Sequence, residues 1–224
     1  MRSRFFTGSI LFCCLLAAAS AQVTLASFTF EGDTPGNLPA GWLSGTNTFK
    51  AVANPSMSGI NTSSQVGGWT GTDSTDSALI NLTGYTSGYT FTLSFDLYDP
   101  DSTTTHGLLT GYGVSGGSSD AWTIGATGAN SGATMFDDLS ATGTWQHFSF
   151  DFTTVVDTYL AAHPGQAANF AIMFDMWNVG NGTRPNLDNV TFTATAIPEP
   201  STYAALAGAA ALGLAALHRR RRAA

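Results

Sequence analysis

Basic side chains are nearly missing from the body of this chain. Of the eight Lys and Arg residues, Arg2 and Arg4 open the sequence and Arg219, Arg220, Arg221 and Arg222 close it. Only Lys50 and Arg184 serve the 176 residues from Gln22 to Ile197, against fourteen acidic residues, a balance of −12 that the formal −7 of the whole chain conceals. Such a body repels nucleic acid and anionic lipid and is compatible with neutral sugars or divalent cations. Cysteine is missing from it too: both cysteines, Cys13 and Cys14, lie in the first 21 residues. That excludes a disulfide staple, a thiolate nucleophile and a Cys metal site from the rest. Glutamate is scarce as well, and Glu31 is the only one before Ile197.

The two ends are processing signals. Arg2 and Arg4 precede a mostly apolar run from Phe5 to Ala19, and Ala19-Ser20-Ala21 supplies small residues for cleavage. This is the order of a secretory signal peptide, here residues 1–21, which leaves Gln22 as the mature N-terminus after signal peptidase. Cys13 and Cys14 follow Ile10-Leu11-Phe12 and not a small residue, which argues against lipidation. At the other end, Pro198-Glu199-Pro200 is followed by an uncharged Ala-, Leu- and Gly-rich stretch, residues 203–217, and then by His218 and four Arg. Those 15 residues fall short of the roughly 20 that a permanent membrane-spanning helix needs. The basic stop, residues 218–222, holds itself on the cytoplasmic side. Such a span suits transient membrane insertion until an enzyme cuts, as for other removed hydrophobic tails. An ordinary tail anchor is the plainer alternative.

Residues 198–222, by Pro198-Glu199-Pro200, apolar stretch and Arg219 to Arg222 in that order, resemble the PEP-CTERM sorting signal. The resemblance implies that exosortase, a membrane protease-transpeptidase, recognises the tail. It implies a Gram-negative, exopolysaccharide-producing source. The chain is then exported, inserted through its tail, and delivered to the cell surface or extracellular matrix.

Between the ends, residues 22–197 form one domain, large enough to bury a core without staples. Apolar and polar residues alternate over Thr24–Phe30, Phe49–Ala53, Gln65–Trp69, Ser77–Leu82, Tyr89–Tyr98, Gly107–Val114, Ala121–Ile124, Trp145–Phe152, Phe170–Met176 and Leu187–Ala194. In the clearest run, Tyr89, Phe91, Leu93, Phe95 and Leu97 share one face, and Thr90, Thr92, Ser94 and Asp96 the other. Glu31 to Trp42 reads as a turn-rich loop. Only Thr154 to His163 has helical spacing, stopped by His163-Pro164-Gly165. The expectation is an all-β fold, a single jelly-roll-like β-sandwich, flanked by the signal peptide and a C-terminal hydrophobic helix. Three segments, Phe28–Trp42 (FTFEGDTPGNLPAGW), Thr144–Phe152 (TWQHFSFDF) and Asn186–Ala194 (NLDNVTFTA), are similar to parts of jelly-roll carbohydrate-binding domains. The resemblance implies a structural Ca²⁺ tying a first-strand acid to an Asp on the last strand, here Glu31 and Asp188. An Asx turn around Asp188, with Asn186 and Asn189, is the alternative use of that residue.

Catalytic patterns are thin. A glycosidase needs two carboxylates, one with a raised pKa, and Glu31 has no Glu partner. The Asp99/Asp101 and Asp137/Asp138 pairs read as solvated loops. No Gly-x-Ser-x-Gly elbow occurs. His106, His147 and His163 have no neighbouring Arg or Lys to serve a lyase, and His147 reads as solvent-facing. No zinc or EF-hand spacing is present. The reading is therefore a non-catalytic envelope or matrix protein with an adhesive or glycan-binding sandwich and exopolysaccharide as partner. The alternative is a secreted polysaccharide hydrolase or lyase. Trp69, Trp122 and Trp177 border polar loops and are the candidates for stacking on sugars, unless they plug the sandwich ends. Trp145 heads a strand and reads as core.

Overall fold

In a computed structural model, alternation becomes strand almost wherever the sequence carries it. The structure describes residues 21–44, 48–71, 74–85, 88–98, 107–116, 119–124, 143–177, 184–197 and 200–222. The expected signal peptide lies outside them apart from Ala21. The strands are β1 (Gln22–Phe28), β2 (Trp42–Ser44), β3 (Phe49–Ala53), β4 (Gln65–Trp69), β5 (Ser74–Ile80), β6 (Tyr89–Tyr98), β7 (Gly107–Val114), β8 (Ser119–Ile124), β9 (Trp145–Asp151), β10 (Phe170–Trp177) and β11 (Asn186–Ala196). Helix α1 (Thr153–Ala162) lies between β9 and β10, and α2 (Pro200–Arg222) follows β11. The strand Trp42–Ser44 was hidden in what the sequence presents as the end of a loop.

Two sheets make the sandwich. One runs β3-β4-β11-β6-β9 with β1 also paired to β11, and the other runs β2-β5-β10-β7-β8. All pairings among them are antiparallel. β11 takes β6 on one side and, on the other, first β4 at Asn186 and Leu187, then β1 from Val190 to Thr195. Every second residue of β6 points inward, so Phe91, Leu93, Phe95 and Leu97 are fully buried. Aromatic contacts join the sheets: Phe95 meets Phe174 edge-on at 5.5 Å, and Trp42 lies 4.4 Å from Phe49. Gly67 makes room for this packing, because a Cβ there would lie 2.3 Å from the Phe49 ring and 2.9 Å from that of Phe30. Phe30 itself has φ of +59°, a left-handed conformation rarely tolerated by a bulky residue. It turns the chain after β1 so that the ring enters the core while Glu31 stays outside.

Outward positions are not uniformly wet. Asp96 and Tyr98 lie on the polar side of β6 in the sequence pattern, yet both are buried. The β3–β4 connection, residues 54–64, folds back over this end of the sheet. Val66, Tyr98 and Trp145 form a second small cluster there, with Val52 packed against it. Trp145 is buried as expected, but in this outer cluster and not between the sheets.

Helix α2 begins at Pro200, where the missing N–H costs nothing, and ends on four Arg, the favourable sign for a helix C-terminus. Among the described residues no helix is long and apolar enough to cross a membrane. The tail falls short because its apolar part is brief and rich in Ala and Gly.

Phe192 is buried against Phe91, Phe152 and Phe170. Phe192→Ala is expected to destabilise the domain by about 3–5 kcal/mol. Urea unfolding of the variant beside the parent measures this, and a loss under 1 kcal/mol would contradict the assigned core.

Candidate functional site

One corner of the β1-containing sheet carries Glu31 and Asp188, while the Asp99/Asp101 and Asp137/Asp138 pairs lie outside the described residues. β11 carries a register irregularity between Asp188 and Thr191, and Asn189 within it has φ of +49°. Asn tolerates this conformation, because its short polar side chain bonds locally. The Asn189 N–H donates to Asp188 Oδ1 at 2.8 Å, and its Nδ2 donates to Asp96 Oδ2 at 2.7 Å. Asp96 is the cross-strand partner of both Asp188 and His147. His147 Nδ1 lies 2.7 Å from Asp96 Oδ1, with the imidazole more than half exposed. The other Asp188 oxygen accepts from Asn61 Nδ2 at 2.7 Å.

Asn61 belongs to the folded-back connection, whose bonds explain its position. Asn61 Oδ1 accepts from the Ser63 N–H at 3.0 Å and from Asn54 Nδ2 at 3.1 Å. Asn54 Oδ1 accepts from the Ser56 N–H at 2.8 Å, and Trp145 Nε1 donates to the Ser56 carbonyl at 2.9 Å. At the far end, Ser64 donates both its N–H and its hydroxyl to Glu31, the hydroxyl at 2.7 Å. These donors hold the Glu31 carboxyl below its usual range, the Ser64 hydroxyl contributing most. Asp188 goes the other way: burial pushes its carboxyl up, against the pull of Asn61, Ser63 and Asn189, and the neighbouring Asp96 adds to the rise.

Glu31 and Asp188 therefore do not form the direct clamp expected of them. Each grips a different part of the segment 61–64, and that segment joins the first strand to the last. Calcium takes six to eight oxygens, whereas both oxygens of each carboxylate here already face N–H or O–H donors. A cation between them would have to displace those donors, so the residues as arranged do not fit it. Among the described residues no group of three or more His, Cys, Asp and Glu is placed to hold a metal ion.

Catalytic geometry is not evident at this corner. Asp96 and Asp188 are a buried carboxylate pair, but they lie beneath the folded-back connection with their oxygens capped. A second His–Asp pair, His163 Nε2 to Asp120 Oδ2 at 2.7 Å, fastens the end of α1 to β8. The His163 ring lies 4.8 Å from that of Tyr159, tilted to it, and the Tyr159 hydroxyl donates to the Gln166 carbonyl. That pair holds the helix end in place.

Trp69 requires a correction. It is buried in the main core at 4 % exposure, and its Nε1 donates to Asp76 Oδ2 at 2.7 Å. It plugs the sandwich and offers no face to a sugar. The side chains of Trp122 and Trp177 lie outside the described residues; their backbones pair with Gly111 and Gly107.

A different surface was missed. The outward face of β1, β11, β6 and β9 carries cross-strand rows of hydroxyls: Thr24, Thr193 and Thr92 in one, and Ser27, Thr191, Ser94 and Ser149 in the next. Thr195 and Thr90 begin a third. These side chains are exposed or half-buried, and the only formal charge among the rows is Asp151 at the edge. Neighbours across strands sit about 4.8 Å apart, and successive rows about 6.7 Å. The signal was in the sequence, as alternating Thr in TFTLS and TFTAT, but Thr also simply suits strands.

Residues 196–222 match the PEP-CTERM protein-sorting motif. The match includes Pro198-Glu199-Pro200 and the Arg run, of which Pro198 and Glu199 lie outside the described residues. No curated protein matches the chain. Among solved structures, the chain is similar to an arabinose-bound α-L-arabinofuranosidase (15 % identity, 76 % of this chain and 27 % of that one, TM-score 0.47). It is similar to the CBM22-1 xylan-binding domain from Paenibacillus barcinonensis (14 %, 81 % and 100 %, 0.48). A cleaved adhesin domain of Lys-gingipain from Porphyromonas gingivalis also resembles it (12 %, 77 % and 99 %, 0.43). The chain spans about a quarter of the arabinofuranosidase's length. These likenesses concern the course of the backbone and carry no ligand to this chain.

Asn61→Ala removes a donor from a buried carboxylate and should cost about 2–3 kcal/mol at pH 7. Because burial raises the Asp188 pKa, the folded state takes up that proton before the unfolded state does. The charged carboxylate therefore destabilises the fold at neutral pH, and this penalty is relieved as pH falls through the raised value. The deficit of the variant should shrink over the same interval. Urea unfolding at neutral and mildly acidic pH tests this, and an equal deficit at both would count against a charged, donor-dependent Asp188.

Proposed function

We propose that this is an exported, non-catalytic surface protein, handed to exosortase by its tail and presenting a glycan-binding or adhesive β-sandwich to the envelope or matrix. The observation that carries the reading is the sorting motif over residues 196–222. Signal peptidase removes residues 1–21, and the apolar stretch 203–217 holds the chain in the membrane until the second cut. Export of an acidic domain fits partners that are neutral, because a balance of −12 repels anionic polymers.

The hydroxyl rows support a neutral glycan as that partner. They offer donors and acceptors at regular spacing with almost no charge. The hydrogen bonds that cap Asp96 and Asp188 are those of a structural pair, which suits a binding domain. Trp122 and Trp177 stay as stacking candidates on this reading.

Intact mass of protein recovered from the cell surface tests the sorting. It should begin at Gln22 and end between Pro198 and Thr202, and a surface form still carrying Arg222 would refute tail removal. Changing Arg219, Arg220, Arg221 and Arg222 together to Ser should leave the protein mis-sorted with an unchanged domain melting temperature, since the run sets topology and lies outside the sandwich. On an array of neutral polysaccharides, Thr92→Ala with Thr193→Ala should weaken retention while moving stability by less than about 1 kcal/mol. Equal retention would remove the hydroxyl face from the proposal.

A further inference from the structure

One side chain on the hydroxyl face is held unlike the rest. His147, Ser149 and Asp151 stand in line on the outward side of β9, all three exposed. Ser149 is the cross-strand partner of Ser94 and belongs to a hydroxyl row, and His147 lies one step along, about 6.7 Å away. Past His147 the face closes, because the 54–64 connection covers Asp188 and reaches Trp145.

The imidazole is aimed. Its Nδ1 lies 2.7 Å from Asp96 Oδ1, and Asp96 is buried with its other oxygen bonded to Asn189 Nδ2. A carboxylate has no hydrogen to give, so Nδ1 carries it, and the neutral ring presents Nε2 as an acceptor. The His147 side chain is 57 % exposed, and among the described residues nothing bonds to Nε2. A histidine that merely faced water would need no buried acid behind it. Burying Asp96 beside Asp188 costs hydration, and on β9 what it secures is the direction of one ring nitrogen.

The setting selects the ligand chemistry. The titratable groups around the ring are Asp96 and Tyr98 on β6, Asp188 on β11 and Asp151 on β9 itself. The connection has no titratable side chain, and Glu31 is engaged at its far end. None of these groups is basic, so an anionic ligand is repelled here, whereas a sugar hydroxyl can donate to Nε2. We propose that His147 is a specificity-determining contact for a neutral glycan on the hydroxyl face, its Nε2 accepting from a hydroxyl of the sugar seated over Ser149, with Asp96 as its positioning residue. The inference rests on the glycan reading and adds to it a fixed contact at one end of the face. A sugar over the ring also takes water from it, which disfavours the charged imidazole. Protonation replaces the acceptor by a donor, so retention falls as the ring charges.

Retention of the surface-recovered protein on neutral polysaccharides, followed from about pH 8 to pH 5, tests this. His147→Asn keeps an N–H toward Asp96 and removes the outer nitrogen. It should weaken retention about three- to tenfold at the alkaline end, with the melting temperature nearly unchanged. Acidification should cost the parent about the same factor and the variant none of it. Asp188, pushed up by burial, titrates in both chains, so their difference isolates His147. In the parent, the retained polysaccharide should shift the His147 Nε2 signal in nitrogen NMR and lower the pH at which the ring titrates, which reads the contact without a substitution. Equal retention by parent and variant, a parent whose retention ignores pH, or an unmoved Nε2 signal would overturn the contact. Stronger retention of an acidic polysaccharide on acidification, lost in the variant, would make His147 a cationic site and overturn it as well. A parent that retains no neutral polysaccharide at any pH would instead refute the glycan reading itself.

Discussion

β11 is the constraint on which the sandwich depends. It hydrogen-bonds to β1, β4 and β6, and it buries Leu187, Val190, Phe192 and Ala194 in the core. Its partner β1 lies more than 160 residues earlier, so the sheet closes only when the two extremes of the domain meet. Such long-range pairing is slow to form, because the loop-closure cost precedes the contacts that offset it. For a chain whose last strand leads into the sorting motif, this order has a consequence. The strand that completes the fold is also the one joined to the tail, so completing the domain and positioning the sorting motif are one event.

No covalent staple assists that closure. Aromatic packing takes its place: Phe30, Trp42, Phe49 and Trp69 interlock across the sheet edges, and Phe91, Phe152, Phe170 and Phe192 do so farther along. Aromatic pairs add roughly 0.5–1.5 kcal/mol each beyond the area they bury. The same density explains why β4 reads Gln-Val-Gly-Gly-Trp. Two glycines weaken an isolated strand, yet here any side chain at Gly67 would occupy the place of the Phe49 ring.

Much of this was legible. Period-two alternation gave Phe49–Ala53, Gln65–Trp69, Tyr89–Tyr98 and Gly107–Val114 with the bounds observed, and helical spacing gave α1 to within one residue. What alternation cannot say is which connection folds back over which face. Asp96 sits on the polar side of β6 by pattern, and it is buried because residues 54–64 cover it. Trp69 borders a polar loop in sequence, and in space it closes the core over Asp76. Asn61 had no local signal at all, since its role is defined by a carboxylate 127 residues away. The tail was readable for the opposite reason: its three parts are contiguous, and no tertiary contact is needed to define them.

The corner around Asp188 shows how an acidic domain keeps carboxylates inside. Two neighbouring buried acids would repel, and each loses its hydration on folding. Among the described residues no Lys or Arg is paired with them. Asn61, Asn189 and a half-exposed His147 supply the donors instead. Neutral donors return less energy than an ion pair, but each fixes a direction. Asp188 takes one bond from its own bulge and one from the 54–64 connection, and Asp96 takes one from the bulge and one from β9. Four separate chain segments are thereby set against each other. An apolar substitute of equal volume could fill the space, but it would leave the connection free to sit elsewhere on the sheet. The polar corner therefore contributes more to where the connection lies than to how much free energy its burial returns.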